Sequence, residues 1–168
     1  MRFSVVLHDV RSAHNVGSIF RTADADGAEK IYCCGITPAP FDRLKNLRED
    51  FAKVALGAHD FVPWERADDT VATIEKLKSE GYKIFAIEQA EDAVPYFGVP
   101  PGEFDERPFA LVLGNEVEGL PDDILKRADR TIEIPMFGKK ESLNVAVAFG
   151  VVAFGLRFRE GLSRGTIE

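Results

Sequence analysis

Residues 109–120 read FALVLGNEVEGL, an apolar run followed at once by glycines and carboxylates. The uninterrupted run Phe109–Leu113 predicts a strand that is buried on both faces, as in a parallel sheet covered by helices. Gly114 and Gly119 bracket the polar residues that follow, and glycine there allows a tight turn or a close approach of the backbone to a ligand. The segment is not a phosphate-binding loop, because it lacks GxGxxG and has Leu120-Pro121 where Lys-Ser/Thr is required. A binding turn and an ordinary strand–turn–helix connection both remain open for this segment alone.

Strands and helices alternate on either side of this stretch. Strands are predicted at Phe3–Leu7, Ile31–Cys34, Lys83–Ile87 and Thr131–Ile134, and helices around Ile19–Ala23 before Gly27, at Ala67–Glu80, at Pro121–Arg127 and from about Ser142 to Glu160. This alternation predicts an α/β domain with a parallel sheet. The 168 residues contain no repeats or linkers, so residues 1–168 are expected to form a single domain. Thr37–Arg48 is rich in proline and basic residues and is predicted to be the most mobile loop.

The composition is that of a globular protein, with 45% hydrophobic and 29% charged residues. No apolar run approaches the ~20 residues that span a bilayer. The first residues, MRFSVVLHD, lack the features of a signal peptide, so a cytoplasmic location is expected. The net charge of −7 argues mildly against a nucleic-acid ligand. Basic residues are nevertheless frequent between Arg11 and Lys53, which leaves a local basic face open.

Cys33 and Cys34 are neighbours in an apolar run, so their side chains are predicted to point to opposite faces of the sheet. This arrangement fits neither a CxxC redox motif nor a metal site. The three histidines are scattered and show no ligand spacing. We therefore expect buried packing cysteines and no metal.

Polar residues also occur at further chain positions where a ligand could bind. Pro135 lacks a backbone N–H and ends sheet pairing. Ser142 is predicted to cap the last helix, whose first N–H groups are free to bind an anion, and Asn144 faces either a ligand or solvent. Asn15 and Arg21 lie about one and a half turns apart on an early helix, and Arg21 can bind phosphate. Each residue also has an ordinary interpretation: a strand exit, a helix cap or a surface arginine.

The order and spacing of these segments resemble one family. Residues 14–28 (HNVGSIFRTADADGA), 111–120 (LVLGNEVEGL) and 132–150 (IEIPMFGKKESLNVAVAFG) resemble motifs 1, 2 and 3 of the SpoU/TrmH RNA 2′-O-ribose methyltransferases, in the SPOUT superfamily. Residues 51–65 (FAKVALGAHDFVPWE) look like the family's segment between motifs 1 and 2. The resemblance runs from Phe3 to about Arg159. It implies an α/β fold: a SPOUT-type parallel-sheet domain with helices on both faces and a C-terminal deep trefoil knot.

The resemblance also implies an activity, the S-adenosyl-L-methionine-dependent methylation of a ribose 2′-hydroxyl in tRNA or rRNA. The cofactor is expected to bind Leu113, Gly114, Asn115, Glu116, Gly119, Ile134, Pro135, Met136, Gly138, Ser142, Leu143 and Asn144. Catalytic roles are implied for Asn15, Arg21, Glu116, Ser142 and Asn144. RNA contacts are expected from Arg11, His14, Arg21, Lys45 and Arg48, with the loop Thr37–Arg48 closing over the RNA. Because a guanidinium is always protonated, Arg21 is expected to anchor phosphate and stabilise the developing alkoxide.

Family members are homodimers, and the last helix, which is apolar on several sides, is expected to contribute to such an interface. The chain departs from many relatives at Ala146, where they carry Ser, and we expect residues 1–168 to be a minimal catalytic domain without the added RNA-binding extensions found in several of them. The choice between tRNA and rRNA is therefore left open. No membrane and no metal partner is expected.

Three other functions remain as alternatives. A non-catalytic RNA-binding protein on the same fold is the strongest of them. Against it stands the presence of all five candidate catalytic residues, Asn15, Arg21, Glu116, Ser142 and Asn144. A nucleotide-dependent oxidoreductase is disfavoured by the missing GxGxxG motif. A methyltransferase acting on a small molecule or a protein is the third.

Overall fold

The computed structural model describes residues 1–100, 102–105, 107–163 and 165. The strands are β1 (Phe3–His8), β2 (Lys30–Cys34), β3 (Trp64–Ala67), β4 (Lys83–Ile87), β5 (Val94–Pro95), β6 (Phe109–Leu113) and β7 (Arg130–Glu133). The helices are α1 (Ala13–Ala25), α2 (Glu49–Ala55), α3 (Thr70–Ser79), α4 (Gly102–Asp105), α5 (Asp122–Leu125) and α6 (Val145–Ser163), with 3-10 turns at Ala58–Asp60 and Tyr96–Gly98. These seven strands form one sheet in the order β3-β2-β1-β6-β4-β7-β5. Every pairing between them is parallel.

β6 lies in the middle of the sheet, between β1 and β4. Phe109 pairs in register with Phe3 on one side and with Lys83 on the other. All five side chains of β6 are buried, and the rings of Phe109 and Phe3 stack at 5.7 Å. The prediction of a strand buried on both faces is confirmed.

Helices cover both faces of the sheet, as predicted. On one face α1, α2 and α6 bury Phe20, Phe51 and Phe149 against the strands. On the other face α3 and α5 bury Leu77 and Ile124. The two helix layers shield the side chains on both faces of the sheet from water, which is the arrangement that parallel sheets require.

The adjacent cysteines divide between these two layers. Cys33 is buried in the layer of α1, α2 and α6, and Cys34 is buried in the layer of α3 and α5. Burial raises the pKa of the Cys33 thiol to about 12 and also raises the pKa of Cys34. The predicted alternation, with both thiols as packing residues, is confirmed.

Three predicted helix starts are wrong, those of α3, α5 and α6. α3 begins at Thr70 and not at Ala67, because Ala67 still pairs with β2 and Asp69 caps the helix by accepting from the N–H of Val71 at 2.7 Å. Pro121 is the residue before α5 and does not belong to its first turn.

The start of α6 was also predicted three residues too early, at Ser142. The helix begins at Val145, and Asn144 caps it through Oδ1, which accepts from the N–H of Ala146 at 2.9 Å. Ser142 therefore does not cap α6 and lies in the exposed loop before it.

Four short elements are absent from the sequence-based prediction: α2, β3, β5 and α4. β3 and β5 form the two edges of the sheet. α2 packs against α1 so closely that a Cβ at Gly17 would lie 2.6 Å from the carbonyl oxygen of Phe51. Glycine at position 17 is thus required by the contact between the two helices.

After β6, the chain makes one connection on each face of the sheet. β4 lies between β6 and β7, so residues 114–129 pass over the end of β4 on the face covered by α5. Residues 134–144 then lead to α6, on the opposite face. The trefoil knot that the resemblance implies stays a prediction.

Residues 37–48 form a loop fixed at its first residue and closed near its last. Thr37 is buried, and its hydroxyl donates to the carbonyl of Leu7 at 3.0 Å. Phe41 and Leu47 form an antiparallel bridge. The predicted mobility of this loop stays a prediction.

None of the described helices is long and apolar enough to cross a membrane. Within the described ranges, no cluster of three or more His, Cys, Asp and Glu side chains has the geometry to hold a metal ion.

Candidate active site

A cavity of about 500 Å³ lies at the carboxyl ends of β4, β6 and β7. The loop 114–120, the segment 134–144 and the residues after β4 surround it. Its lining consists of Ile87, Glu88, Gln89, Leu113, Gly114, Asn115, Glu116, Val117, Gly119, Glu133, Ile134, Met136, Lys140, Ser142, Leu143, Asn144, Val145 and Ala148. This is the edge of an open α/β sheet where ligands bind, and the volume suits a small-molecule cofactor.

The loop after β6 closes tightly on itself. A Cβ at Gly114 would lie 2.3 Å from the carbonyl carbon of Gly119, so only glycine fits at position 114. Asn115 is buried, and its Oδ1 accepts from the N–H groups of Val117 at 2.9 Å and Glu118 at 2.7 Å. The side-chain oxygen of Asn115 therefore shapes the loop and is not free for a ligand.

Glu88, directly after β4, supports the same loop from the neighbouring strand. Its carboxylate accepts from the N–H of Leu120 at 2.8 Å and from the N–H of Gln89 at 3.0 Å. One carboxylate oxygen lies 2.3 Å from the place where a Cβ at Gly119 would stand, and Gly119 has a φ of +67°. Position 119 thus requires glycine for two independent reasons.

The carboxylate of Glu116 binds the start of α1. It accepts from the backbone N–H of Arg11 at 3.1 Å, the backbone N–H of Ser12 at 3.3 Å and Nδ2 of Asn15 at 2.8 Å. Burial raises the pKa of Glu116, but the hydrogen bonds from Asn15, Arg11 and Ser12 outweigh it, so the pKa lies below its ordinary value of 4.5. At neutral pH this group is an ionised acceptor.

Asn15 connects Glu116 to the start of α6. Its Oδ1 accepts from Nδ2 of Asn144 at 3.1 Å, while Oδ1 of Asn144 caps α6. Ser12, and not Asn15, caps α1, because the hydroxyl of Ser12 accepts from the N–H of Asn15 at 3.2 Å. The amide of Asn15 is therefore held at both ends, by a carboxylate and by an amide donor.

The charged groups on the cavity lining are mainly acidic. The lining contains three carboxylates, those of Glu88, Glu116 and Glu133, and one ammonium group, that of Lys140. Such a lining favours a ligand with a positive charge over one with a negative charge. Apolar lining is supplied by Ile134 and Leu143, among others.

Residues 2–154 match the profile of the SpoU rRNA Methylase family. This chain belongs to that family. Its relatives include the 23S rRNA (guanosine(2553)-2′-O)-methyltransferase RlmP of Bacillus subtilis, 32% identical over 91% of this chain and 57% of RlmP. The tRNA (guanosine(18)-2′-O)-methyltransferase of Aquifex aeolicus is 31% identical over 89% of this chain and 66% of that protein. The chain thus spans less than two thirds of the length of either relative.

The fold comparison agrees with this membership. The AdoMet-bound rRNA methyltransferase from Sinorhizobium meliloti superposes with a TM-score of 0.83 at 31% sequence identity. The match covers 94% of this chain and 56% of that one. The seven-stranded parallel sheet is therefore the SpoU/TrmH fold.

The cavity brings together most of the residues that the SpoU/TrmH motifs predict for the cofactor. Leu113, Gly114, Asn115, Glu116, Gly119, Ile134, Met136, Ser142, Leu143 and Asn144 line it, whereas Pro135 and Gly138 do not. Sequence reasoning missed several lining residues, of which Glu88 has the clearest role. An acidic residue directly after the apolar strand Lys83–Ile87 was the signal that could have identified it.

The predicted RNA-binding residues of this SpoU-family chain lie outside the cavity lining. Arg21 is exposed on α1, and among the described residues its guanidinium forms no ion pair. Arg11 pairs with Glu118 at 3.6 Å, and His14 is exposed at the start of α1. Lys45 is exposed at the loop tip with a φ of +64°, and Arg48 donates through Nε to the carbonyl of Ala39 at 3.1 Å.

Proposed function

We propose that this protein transfers a methyl group from S-adenosyl-L-methionine to a ribose 2′-hydroxyl of tRNA or ribosomal RNA. The observation that carries the proposal is the series of side-chain hydrogen bonds that links Glu116 to Asn15 and Asn15 to Asn144 beside the cavity. It joins the three segments that resemble motifs 1, 2 and 3.

The named relatives support both RNA classes. RlmP of Bacillus subtilis is named for 2′-O-methylation of 23S rRNA, and the Aquifex aeolicus protein for 2′-O-methylation of tRNA. Identity to the two is nearly equal, so both targets stay in the proposal.

The cavity fits the proposed cofactor in size, polarity and charge. Its apolar lining, with Ile134, Leu143 and Val145, suits an adenine ring, and its carboxylates suit a sulfonium cation. The tight loop after β6, which Gly114 and Gly119 allow to close on itself, lies on the cavity lining. When bound, the cofactor supplies a methyl group that the sulfonium already activates.

The residues of the chain then have to orient the ribose and assist removal of its proton. Three N–H groups donate to the carboxylate of Glu116, and its pKa lies below the ordinary value, so we assign Glu116 the role of holding Asn15 in place and not that of the base. Ser142 lies exposed on the cavity lining, where its hydroxyl can hydrogen-bond a ribose hydroxyl. Arg21 acts outside the cavity lining, on a phosphate next to the target ribose and on the charge that develops at its 2′-oxygen.

The proposal includes a homodimer formed through α6. One side of α6 exposes an apolar stripe made of Val147, Val151, Phe154, Phe158 and Leu162. The spacing of four, three, four and four residues keeps the stripe on one side of the helix. A second copy of the same stripe covers it in a twofold arrangement. Phe154→Asp should give a monomer in light scattering, whereas Leu44→Asp, which removes an exposed leucine elsewhere, should leave the dimer intact.

Helix α1, which carries Arg21, packs against α6: Cγ2 of Thr22 is 3.6 Å from the Cβ position of Gly150. Dimerisation would bring Arg21 to the edge of the interface. The proposal also holds that residues 1–168 act as one catalytic domain and that the protein works in the cytoplasm, where its RNA substrate is found.

The test is transfer of radiolabelled methyl from S-adenosyl-L-methionine to separate pools of unmodified tRNA and rRNA. Label in alkali-resistant dinucleotides of one pool would establish 2′-O-methylation and identify the RNA class. No label in either pool, with cofactor binding intact in calorimetry, would instead favour a non-catalytic RNA-binding protein.

A further inference from the structure

The segment 137–139 projects from the cavity lining into solvent. The residues on either side of it, Met136 and Lys140, both line the cavity. Between them, Phe137 has 94% of its surface exposed, the highest value among the large apolar side chains of the described residues. A phenylalanine held in water directly beside a binding cavity has no packing role in the isolated subunit.

The position of Phe137 places its ring at the rim of the cavity. Consecutive Cα atoms are about 3.8 Å apart, so the backbone that carries the Phe137 ring lies within that distance of the lining residue Met136. In a nucleotide the base is attached to the ribose carbon next to the one that carries the 2′-hydroxyl. A ribose whose 2′-oxygen enters the cavity therefore has its base within reach of this rim.

We propose that Phe137 is a stacking platform for the unstacked base of the target nucleotide. This inference rests on the proposed function and adds a substrate-positioning residue to it. Aromatic side chains bind single-stranded or splayed RNA bases in this way. The phenyl ring offers no hydrogen-bonding groups, so the contact holds the base without reading its identity.

The charge of the segment favours RNA over a protein partner. Lys139 and Lys140 are exposed and follow Phe137 after Gly138, and the exposed Glu141 comes next. Residues 137–141 thus carry a net positive charge, in a chain whose net charge is −7. A phosphate next to the stacked base would find two ammonium groups within reach.

The experiment compares Phe137→Ala, Phe137→Leu and Phe137→Tyr with the wild-type protein. Phe61→Ala is the matched control, because Phe61 is 74% exposed and does not line the cavity. Each protein is assayed for methyl transfer to unmodified tRNA and rRNA pools, for S-adenosyl-L-methionine affinity by calorimetry and for oligomeric state by light scattering.

Phe137→Ala and Phe137→Leu should lower kcat/KM for RNA by about tenfold or more. Phe137→Tyr should restore it, and Phe61→Ala should leave it unchanged. Cofactor affinity and oligomeric state should stay the same in all four. The inference is overturned if Phe137→Ala behaves like Phe61→Ala, if leucine replaces phenylalanine without loss, or if the loss follows dissociation into monomers.

The wild-type protein separates this failure from a failure of the proposed function. If the wild type labels neither RNA pool, the proposed function fails and the inference falls with it. If the wild type labels RNA and Phe137→Ala does so equally well, only the stacking role is lost.

Discussion

The side-chain amide of Asn144 donates a hydrogen bond to the side-chain oxygen of Asn15 across 3.1 Å, although 129 residues separate the two in sequence. Asn144 caps α6 with its own oxygen, and Asn15 donates to Glu116 with its own nitrogen. The starts of α1 and α6 and the loop after β6 are therefore connected through three side chains. Each amide has one orientation that satisfies both of its neighbours.

Asn144→Asp should separate stability from catalysis. Aspartate caps a helix as well as asparagine does, so the melting temperature should change little. The carboxylate cannot donate to Asn15, and the Asn15 amide would then lie between two carboxylates. Turnover should fall by about tenfold or more, because misplacement of active-site groups by about 1 Å is costly.

Asn144→Ala is the matched comparison for this prediction. It removes the cap as well and should lower the free energy of unfolding by about 1 kcal/mol. Equal stability losses in the alanine and aspartate variants, or full turnover in the aspartate variant, would contradict the role assigned to the Asn15–Asn144 bond.

Glu116→Gln should reduce turnover by about ten- to a hundredfold, since one acceptor oxygen is lost and the start of α1 loses its anchor. The free energy of unfolding should fall by only about 1 kcal/mol, because the carboxylate is partly solvated. Glu118→Gln on the same loop is the control, since the Glu118 carboxylate makes two long contacts, an ion pair with Arg11 at 3.6 Å and a hydrogen bond from Nδ2 of Asn115 at 3.4 Å. Steady-state methyl transfer and chemical denaturation give the two readouts; similar turnover in both variants would argue against the assignment.

The contribution of Glu116 to stability should depend on pH in the acidic range. Its pKa is lower in the folded protein than the ordinary value of 4.5, so its stabilisation is present above that pH. The stabilisation is lost as the pH falls through the folded-state pKa. Melting temperatures of wild type and Glu116→Gln should therefore differ at pH 7, and the difference should shrink as the pH falls from 4.5 through the folded-state pKa. A constant difference down to pH 3 would show that the charge of Glu116 does not matter.

Arg21→Ala should abolish most turnover without unfolding the protein. Arg21 is exposed, so the free energy of unfolding should stay within about 0.5 kcal/mol of the wild-type value. Loss of a group that stabilises the transition state lowers kcat by about a hundredfold or more. Cofactor affinity should be unchanged, because Arg21 does not line the cavity. Arg107→Ala, at an exposed arginine before the opposite end of β6, should leave turnover intact.

Lys45→Glu should weaken RNA binding in a salt-dependent manner. Lys45 is exposed at the tip of the loop 37–48, and a phosphate contact there contributes about one unit to the slope of log affinity against log salt. Lys126→Glu, at an exposed lysine after α5, is the control of equal charge change. Equal loss of affinity in both variants would show that only net charge matters and that the loop does not contact RNA.

The central strand β6 could be predicted because all five of its side chains are apolar. The long helices α1 and α3 could be predicted because apolar side chains recur in them at helical spacing. β3 could not, since Trp64–Ala67 is an edge strand with half-exposed side chains and no alternation. α2 is only seven residues long, and its burial depends on contact with Gly17 of α1. Such contacts between distant segments leave no local pattern.

The candidate site could also be predicted only in part. The motif residues could be assigned by resemblance, but their roles could not. Ser142 and Asn144 are equally good caps by residue type, and the position of Asn15 favours Asn144. Glu88 belongs to none of the quoted motifs, and its support of the loop at Leu120 depends on the pairing of β4 with β6.

The adjacent cysteines offer a way to observe the opening of each helix layer separately. Both thiols are free and buried, and their raised pKa values keep them as unreactive thiols in the folded protein. A thiol reagent added to the native protein would modify Cys33 only when α1, α2 and α6 detach, and Cys34 only when α3 and α5 detach. Labelling rates measured by mass spectrometry at these two neighbouring positions would report how often the helix layer on each side of the sheet opens.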